Sequence, residues 1–362
     1  VRLRNKIWIA VLSLLIPVFG QGADPPGKPT SDRAVDRKLE AVIGTLQAKL
    51  SAAGIDTFYI GGGSARSILD HLRQGEPLDF RDLDIFVVWD RAGDPRASQE
   101  LGRQLQHPTL GQYLPDSWHV TRRLSGDPNP TARDVGHGFV LRNGNDVIDV
   151  SLFGHAQDLS ENGVFDVDTV LIPLGRPQDF RTFVDRVKTT PRYEDLLKSG
   201  AVRDPYRGYP AWRQHTLRLV HWNQVIRDPL VQSVRLVRSY GKRGPISIPK
   251  RVAARLGALL RHNTETSLSE LARSLQKVLA DRNAEDELVA LSDLGVFTWG
   301  TPPVAQRLRA HPASRRFPDV ARVVSAFSRW ASTTERGDRP RLCRDLLATL
   351  GTSRAGTGPS AG

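Results

Sequence analysis

Asp82 and Asp84 flank Leu83 at the head of an apolar run from Leu83 to Trp89. On a β-strand, residues two apart point to the same face, so this spacing predicts two carboxylates within a few ångströms of each other. Their mutual repulsion is relieved when a cation sits between them. Magnesium is the hard cation that suits such oxygens, and it completes its octahedron with water and phosphate oxygens. A third carboxylate is available in Val147 to Phe153, where Val147, Asp149 and Ser151 alternate with apolar Ile148, Val150 and Leu152. Asp149 interrupts an otherwise apolar strand, and a buried lone aspartate is costly without a donor, a counter-charge or a metal. Three carboxylates brought together can hold two metal ions, which activate an attacking hydroxyl and stabilise a departing pyrophosphate. Taken alone, the Asp-x-Asp pair has a plainer reading, with Asp82 a solvated residue at a strand start and Asp84 an ion-pair partner of Arg66 or Arg81.

A glycine run, Gly61, Gly62 and Gly63, precedes this pair. It follows an apolar segment, Thr57 to Ile60, that reads as a strand. After it, Ser64 is placed to cap a helix carrying Ile68, Leu69 and Leu72. Backbone amides at a helix N-terminus bind phosphates, and Arg66, one turn in, adds positive charge. Glycines before a helix also serve turn geometry alone. The combination of glycine turn, arginine and paired carboxylates is what points to a phosphate-bearing substrate.

The elements that must position these groups follow from periodicity. Val35, Leu39, Val42, Ile43, Leu46 and Leu50 recur at helical spacing, with Asp32 as the expected cap and Gly54 as the stop. Strands are predicted at Thr57–Ile60, Leu83–Trp89, Trp118–Arg122, Gly138–Arg142 and Val147–Phe153, the last two joined through Asn143 and Gly144 as a hairpin. After Leu174 the pattern becomes helical, over Phe180–Val187, Thr216–Ile226, Leu230–Tyr240, Val252–Leu260, Leu268–Leu279, Val320–Trp330 and Leu342–Leu350. The fold class is therefore α+β, a mixed sheet with flanking helices followed by an all-α body. The expected division is a signal peptide at 1–23, a linker at 24–31, a head at 32–175, a helical neck and body at 176–350 and a disordered tail at 351–362.

Three stretches carry a resemblance. Tyr-Ile-Gly-Gly-Gly-Ser-Ala-Arg (59–66), Asp-Leu-Asp-Ile-Phe-Val-Val (82–88) and Gly-His-Gly-Phe-Val-Leu-Arg-Asn-Gly-Asn-Asp-Val-Ile-Asp-Val-Ser-Leu-Phe (136–153) resemble the head domain of class II nucleotidyltransferases. That family comprises the tRNA CCA-adding enzymes and bacterial poly(A) polymerases. The resemblance implies a nucleotidyltransferase-like head, with catalytic and metal-binding roles for Asp82, Asp84 and Asp149 and nucleotide binding by Gly62, Gly63, Ser64 and Arg66. It extends more faintly to 217–222, similar to an arginine-bearing neck helix, which implies a nucleotide-binding role for Arg218. It also implies two Mg2+ ions, ATP or another nucleoside triphosphate as substrate, and a tRNA-like or other RNA 3′ end as acceptor. The sequence departs from the family at Ser67, where an acidic residue is usual, and at Asn162–Thr169, which matches the Arg-Arg-Asp-Phe-Thr motif only loosely. The acidic template that reads the base is absent before Arg218. These departures leave two other readings open: an exported binding protein that has lost catalysis, and a transferase acting on a protein or small molecule.

Composition agrees with a polyanionic partner. The 362 residues carry 51 Lys and Arg against 39 Asp and Glu, a formal charge of +12. Such a balance favours nucleic acid, an anionic membrane surface or a plain solvated basic surface. Arg213, Arg218, Lys242, Arg243, Lys250, Arg251, Arg255 and Arg261, with Tyr209, Trp212 and Trp222 among them, are candidates for an RNA-tracking surface. The single cysteine, Cys343, excludes an intramolecular disulfide and a zinc site built on paired cysteines. His137, His155, His215 and His221 lack metal-ligand spacing, and no serine sits in a nucleophile elbow. At the N-terminus, Arg2, Arg4 and Lys6 precede an apolar run from Ile7 and small residues at Gly20, Gly22 and Ala23, the form of a secretory signal. The run is short for a membrane span and is interrupted by Pro17. Export without stable membrane insertion after processing is the expectation, or a cytoplasmic location if the leader is over-read.

Overall fold

A computed structural model describes residues 30–78, 82–119, 137–156, 159, 165–175, 178–218, 220, 229–241, 248–254, 268–297, 304–333 and 338–355. The apolar leader, most of the linker, Arg81 and the last tail residues lie outside the described residues. Among the described residues, no helix is long and apolar enough to cross a membrane. The chain divides into two compact units. The first takes the described residues up to 119, from 137 to 159 and from 168 to 205; the second takes those from 165 to 167 and from 206 onward.

The first unit alternates helices with short strands. Its elements are α1 (Thr30–Ala52), β1 (Thr57–Ile60), α2 (Gly62–Gln74), β2 (Leu83–Val88), α3 (Pro95–Leu105), β3 (Gln112–His119), β4 (His137–Asn143), β5 (Asp146–Phe153), β6 (Ile172–Gly175), α4 (Phe180–Thr189) and α5 (Tyr193–Lys198). The six strands form one mixed sheet in the order β3-β4-β5-β2-β1-β6. β2 and β5 run parallel at its centre, and the other neighbours are antiparallel. One face of the central strands is fully apolar: Phe58, Ile60, Leu83, Ile85, Val87, Ile148, Val150 and Leu152 are all buried. The apolar stripe of α1, from Leu39 through Ile43, Leu46 and Leu50, is buried as its spacing predicts. The opposite face carries Asp84, Phe86 and Val88 on β2 beside Asp149, Ser151 and Phe153 on β5. There Phe86 and Phe153 meet edge to face at 5.6 Å, in a small cluster with Leu159 and Leu171.

Several elements differ from the sequence expectation. α1 runs past Asp32 to Thr30, so Asp32 lies inside the helix and is not its cap. The hairpin loop is Gly144–Asn145, one residue on, because Asn143 pairs with Asp146 and the left-handed φ of +60° falls on Gly144. β3 lies earlier than Trp118–Arg122 and contains Pro115, which the sheet tolerates because β3 is an edge strand. β6 was not expected; it is a second edge strand and contains Pro173.

The described part of the second unit is helical: α6 (Gly208–Arg213), α7 (Pro229–Gly241), a helical segment at 250–254, α8 (Leu268–Leu279), α9 (Ala284–Asp293), α10 (Val304–Ala310), α11 (Ala313–Arg316), α12 (Pro318–Thr333) and α13 (Arg339–Ala355). The mixed sheet followed by a helical body is the expected fold class. The helix expected over Thr216–Ile226 does not form at its start. His215 takes a left-handed φ of +52°, and the Arg218 backbone is engaged by Asp166 instead. Of the expected tail, residues 351–355 continue α13, and 356–362 lie outside the described residues. Tyr209 and Trp212 are core residues, 3% and 7% exposed, with Trp212 against Tyr240 at 4.5 Å, so they offer no stacking platform for RNA bases. Trp222, Lys242, Arg243, Arg255 and Arg261 lie outside the described residues.

Candidate active site

β1 leaves the sheet at Gly61, and the chain turns directly into α2. Gly61 is the N-cap of α2; its carbonyl accepts the first helical bond from the Ala65 N–H at 3.1 Å, while its own N–H donates to the Asp84 carbonyl at 3.0 Å. Gly62 has φ +55°, a left-handed conformation that favours glycine. An ideal Cβ on Gly62 would lie 3.0 Å from Asp84 Oδ2, and one on Gly61 would strike the Phe86 ring at 2.3 Å. The glycine run thus lets the start of α2 lie directly against β2. No acidic residue occupies the first turn of α2, so the positive end of its dipole is not neutralised from within the helix.

Ser64 is not the helix cap. It is the third residue of α2, completely buried, and its hydroxyl donates to the Asp82 carbonyl at 2.8 Å while accepting from the Asp84 N–H at 2.9 Å. The hydroxyl expected from the resemblance to hold a triphosphate is therefore turned to the strand. Arg66 is 4% exposed and reaches Asp168 Oδ1 through Nη1 at 3.5 Å. Its Nη2 lies 4.0 Å from an ideal Cβ on Gly63, so the guanidinium stays beside the helix start.

Asp82 and Asp84 converge as their spacing predicts, and Asp149 joins them as the resemblance implies. Each offers a carboxylate oxygen, and the three oxygens lie within 4.8 Å of one another, with all three residues half-buried. Asp84 and Asp149 are register partners across the parallel β2–β5 joint, and Asp82 precedes β2. At that separation two unit charges in an effective dielectric of about 20 repel by about 3–4 kcal/mol. An all-carboxylate oxygen set suits a hard divalent cation rather than a soft one. The donor chemistry and the convergence therefore fit magnesium. Farther along the same face of β2 and β5 lie Phe86 opposite Ser151, then Val88 opposite Phe153.

Arg218 belongs to the second unit and is engaged with the buried Asp166. The Asp166 N–H donates to the Arg218 carbonyl at 3.0 Å, and the Asp166 carboxylate accepts the Arg218 N–H at 3.1 Å and the Val167 N–H at 3.0 Å. The Arg218 Nε lies 3.5 Å from Asp166 Oδ2. Asp168 is the site residue that the sequence does not point to, because no local spacing links it to Arg66.

No protein-family model matches the sequence, and no curated protein matches it. Solved structures do. A CCA-adding enzyme in its apo form I is 16% identical, with 88% of this chain and 71% of that one covered and a TM-score of 0.50. A CCA-adding enzyme in complex with ATP is 16% identical over 90% of this chain and 75% of that one, also at 0.50. An apo form II of a CCA-adding enzyme gives 15% identity, 90% and 75% coverage and 0.50. At such identity the likeness establishes a shared fold.

Proposed function

We propose that this chain is a metal-dependent nucleotidyltransferase that joins a nucleoside monophosphate, taken from ATP or another nucleoside triphosphate, to the 3′ end of an RNA. The observation that carries the reading is the convergence of Asp82, Asp84 and Asp149 beside the start of α2. The shared fold with CCA-adding enzymes, one of them solved with ATP, supports it. So does the formal charge of +12, which suits a polyanionic acceptor.

In this reading Asp82, Asp84 and Asp149 hold two Mg2+ ions. Bound there, magnesium supplies charge neutralisation for the triphosphate and makes the acceptor hydroxyl more acidic. The backbone amides of Gly62, Gly63 and Ser64, at the positive end of α2, face the triphosphate, and Arg66 adds fixed positive charge beside them. Asp168 keeps the Arg66 guanidinium in place. Asp149 orients the RNA 3′ hydroxyl and helps withdraw its proton. The hydroxyl oxygen bonds to the α-phosphorus, the bond from that phosphorus to the bridging oxygen breaks, and pyrophosphate leaves.

The acceptor is tested by incubating the purified protein and Mg2+ with each α-labelled nucleoside triphosphate, in the presence of tRNA, short RNA or a protein extract, and resolving the products by size. Label in RNA is expected. Label in protein or a small molecule with none in RNA overturns the choice of acceptor.

A further inference from the structure

We infer that Ser64 is a positioning residue of the carboxylate site, whose hydroxyl stands in for the β1 backbone where that strand departs and so fixes the Asp82–Asp84 segment. The inference rests on the reading of the triad as a metal-binding site. In the antiparallel β1–β2 ladder, Tyr59 pairs with Phe86 and Ile60 with Ile85, and the next pair in register is Gly61 with Asp84. Gly61 keeps half of that pairing, donating its N–H to the Asp84 carbonyl. A continued ladder would return the Asp84 N–H to the Gly61 carbonyl. That carbonyl is instead turned into α2, where Ala65 donates to it.

Ser64 supplies what the strand no longer can. Its hydroxyl accepts the Asp84 N–H and donates to the Asp82 carbonyl, so one buried oxygen fastens both aspartates. A serine hydroxyl has one proton to give, and here that proton goes to the Asp82 carbonyl. The attachment matters most for Asp82, which lies ahead of β2 and outside its ladder with β5. Asp84 is held through its register with Asp149, whereas among the described residues Asp82 is held by Ser64 and by its covalent neighbour Leu83. Partners that orient the ligands of a metal site are worth about 10- to 100-fold in metal affinity.

The test uses the full chain, stripped of metal, as wild type and as Ser64→Ala, Ser64→Cys and Ser64→Thr. Two readouts are taken: amide hydrogen exchange of the peptide covering Leu83–Val88 in the metal-free protein, and Mn2+ affinity from the electron paramagnetic resonance signal of free Mn2+. Ser64→Ala and Ser64→Cys, which lack a good donor and acceptor, are expected to exchange faster in that peptide but not in one covering Phe139–Leu141. Their Mn2+ affinity is expected to fall by about tenfold or more, and Ser64→Thr to restore it. Wild-type Mn2+ affinity in Ser64→Ala and Ser64→Cys overturns the inference, whatever the exchange shows. If the wild type binds Mn2+ but transfers no nucleotide, the proposed reaction fails while the Ser64 comparison is still decided by binding. If the wild type binds no Mn2+, both fail.

Discussion

Asp84 and Asp149 stand directly opposite each other on the parallel strands β2 and β5, at the centre of the sheet and on the face away from its continuous apolar core. In a parallel pair, register partners present their side chains to the same side, so a like-charged pair is built into the backbone and no rotamer change removes it. Replacing Asp149 by Asn is expected to weaken Mn2+ binding by about tenfold or more, because one of the three converging carboxylates is lost. Titration with Mn2+, followed by the electron paramagnetic resonance signal of the free ion, checks it. Unchanged affinity would show that Asp149 does not hold the ion.

Gly62 and Gly63 are adjacent and are expected to respond oppositely to alanine. Gly62 has a left-handed φ and leaves no free space toward Asp84, so Gly62→Ala is expected to cost about 1–2 kcal/mol and to push the Asp84 carboxylate aside. Gly63 has ordinary helical space around its Cβ position, so Gly63→Ala is expected to raise stability by about 0.5–1 kcal/mol. Denaturant midpoints of the two variants decide it; equal losses would contradict the close approach of α2 to β2.

Cys343 is completely buried in α13, and burial, reinforced by the neighbouring Glu285, pushes its thiol up to about 12. At pH 8 the reactive thiolate is then scarce and inaccessible. A disulfide reagent is expected to leave the native protein unlabelled and to label it once in urea. Rapid labelling without denaturant would contradict the packing of α13.

Asp179 caps α4 by accepting the Thr182 N–H at 2.7 Å, and that bond holds its carboxyl below the ordinary value of 3.8. Because the folded value lies below the unfolded one, the stabilisation is complete above 3.8 and is lost as pH falls through the folded value. Asp179→Ala is expected to cost about 1 kcal/mol at pH 7. The difference between variant and wild type should shrink below pH 3.8, which thermal melts across the acid range would show.

The Asp82–Asp84 pair and most of the supporting elements were legible because they are written in local periodicity, whereas Asp149 was joined to the pair only through the resemblance. Alternation in Val147–Phe153 placed Asp149 opposite to Ile148 and Val150, and the two-residue spacing placed Asp82 with Asp84. What periodicity does not encode is partnership at a distance. The helix expected over Thr216–Ile226 had an apolar pattern, but the Asp166 main chain and carboxylate, far away in sequence, claim the Arg218 N–H and carbonyl, and the segment does not form a helix there. Pro173 disguised β6, because proline demotes a strand unless the strand lies at an edge, and edge position is a property of the sheet rather than of the segment. Ser64 shows the same limit more finely. Its residue type fitted a helix cap, while the carbonyl and amide it serves belong to Asp82 and Asp84, at the start of β2.

We propose that the Asp82, Asp84 and Asp149 carboxylates carry out nucleotide transfer to RNA. The deciding measurement is Mg2+-dependent incorporation of α-labelled nucleotide into tRNA or short RNA by the wild type and by the double variant Asp82→Ala, Asp84→Ala, with folding of both checked by circular dichroism. Incorporation by the wild type, abolished by chelation and absent from the folded variant, is the predicted result. Equal incorporation by both proteins, or none by the wild type with any nucleotide and RNA offered, would contradict it.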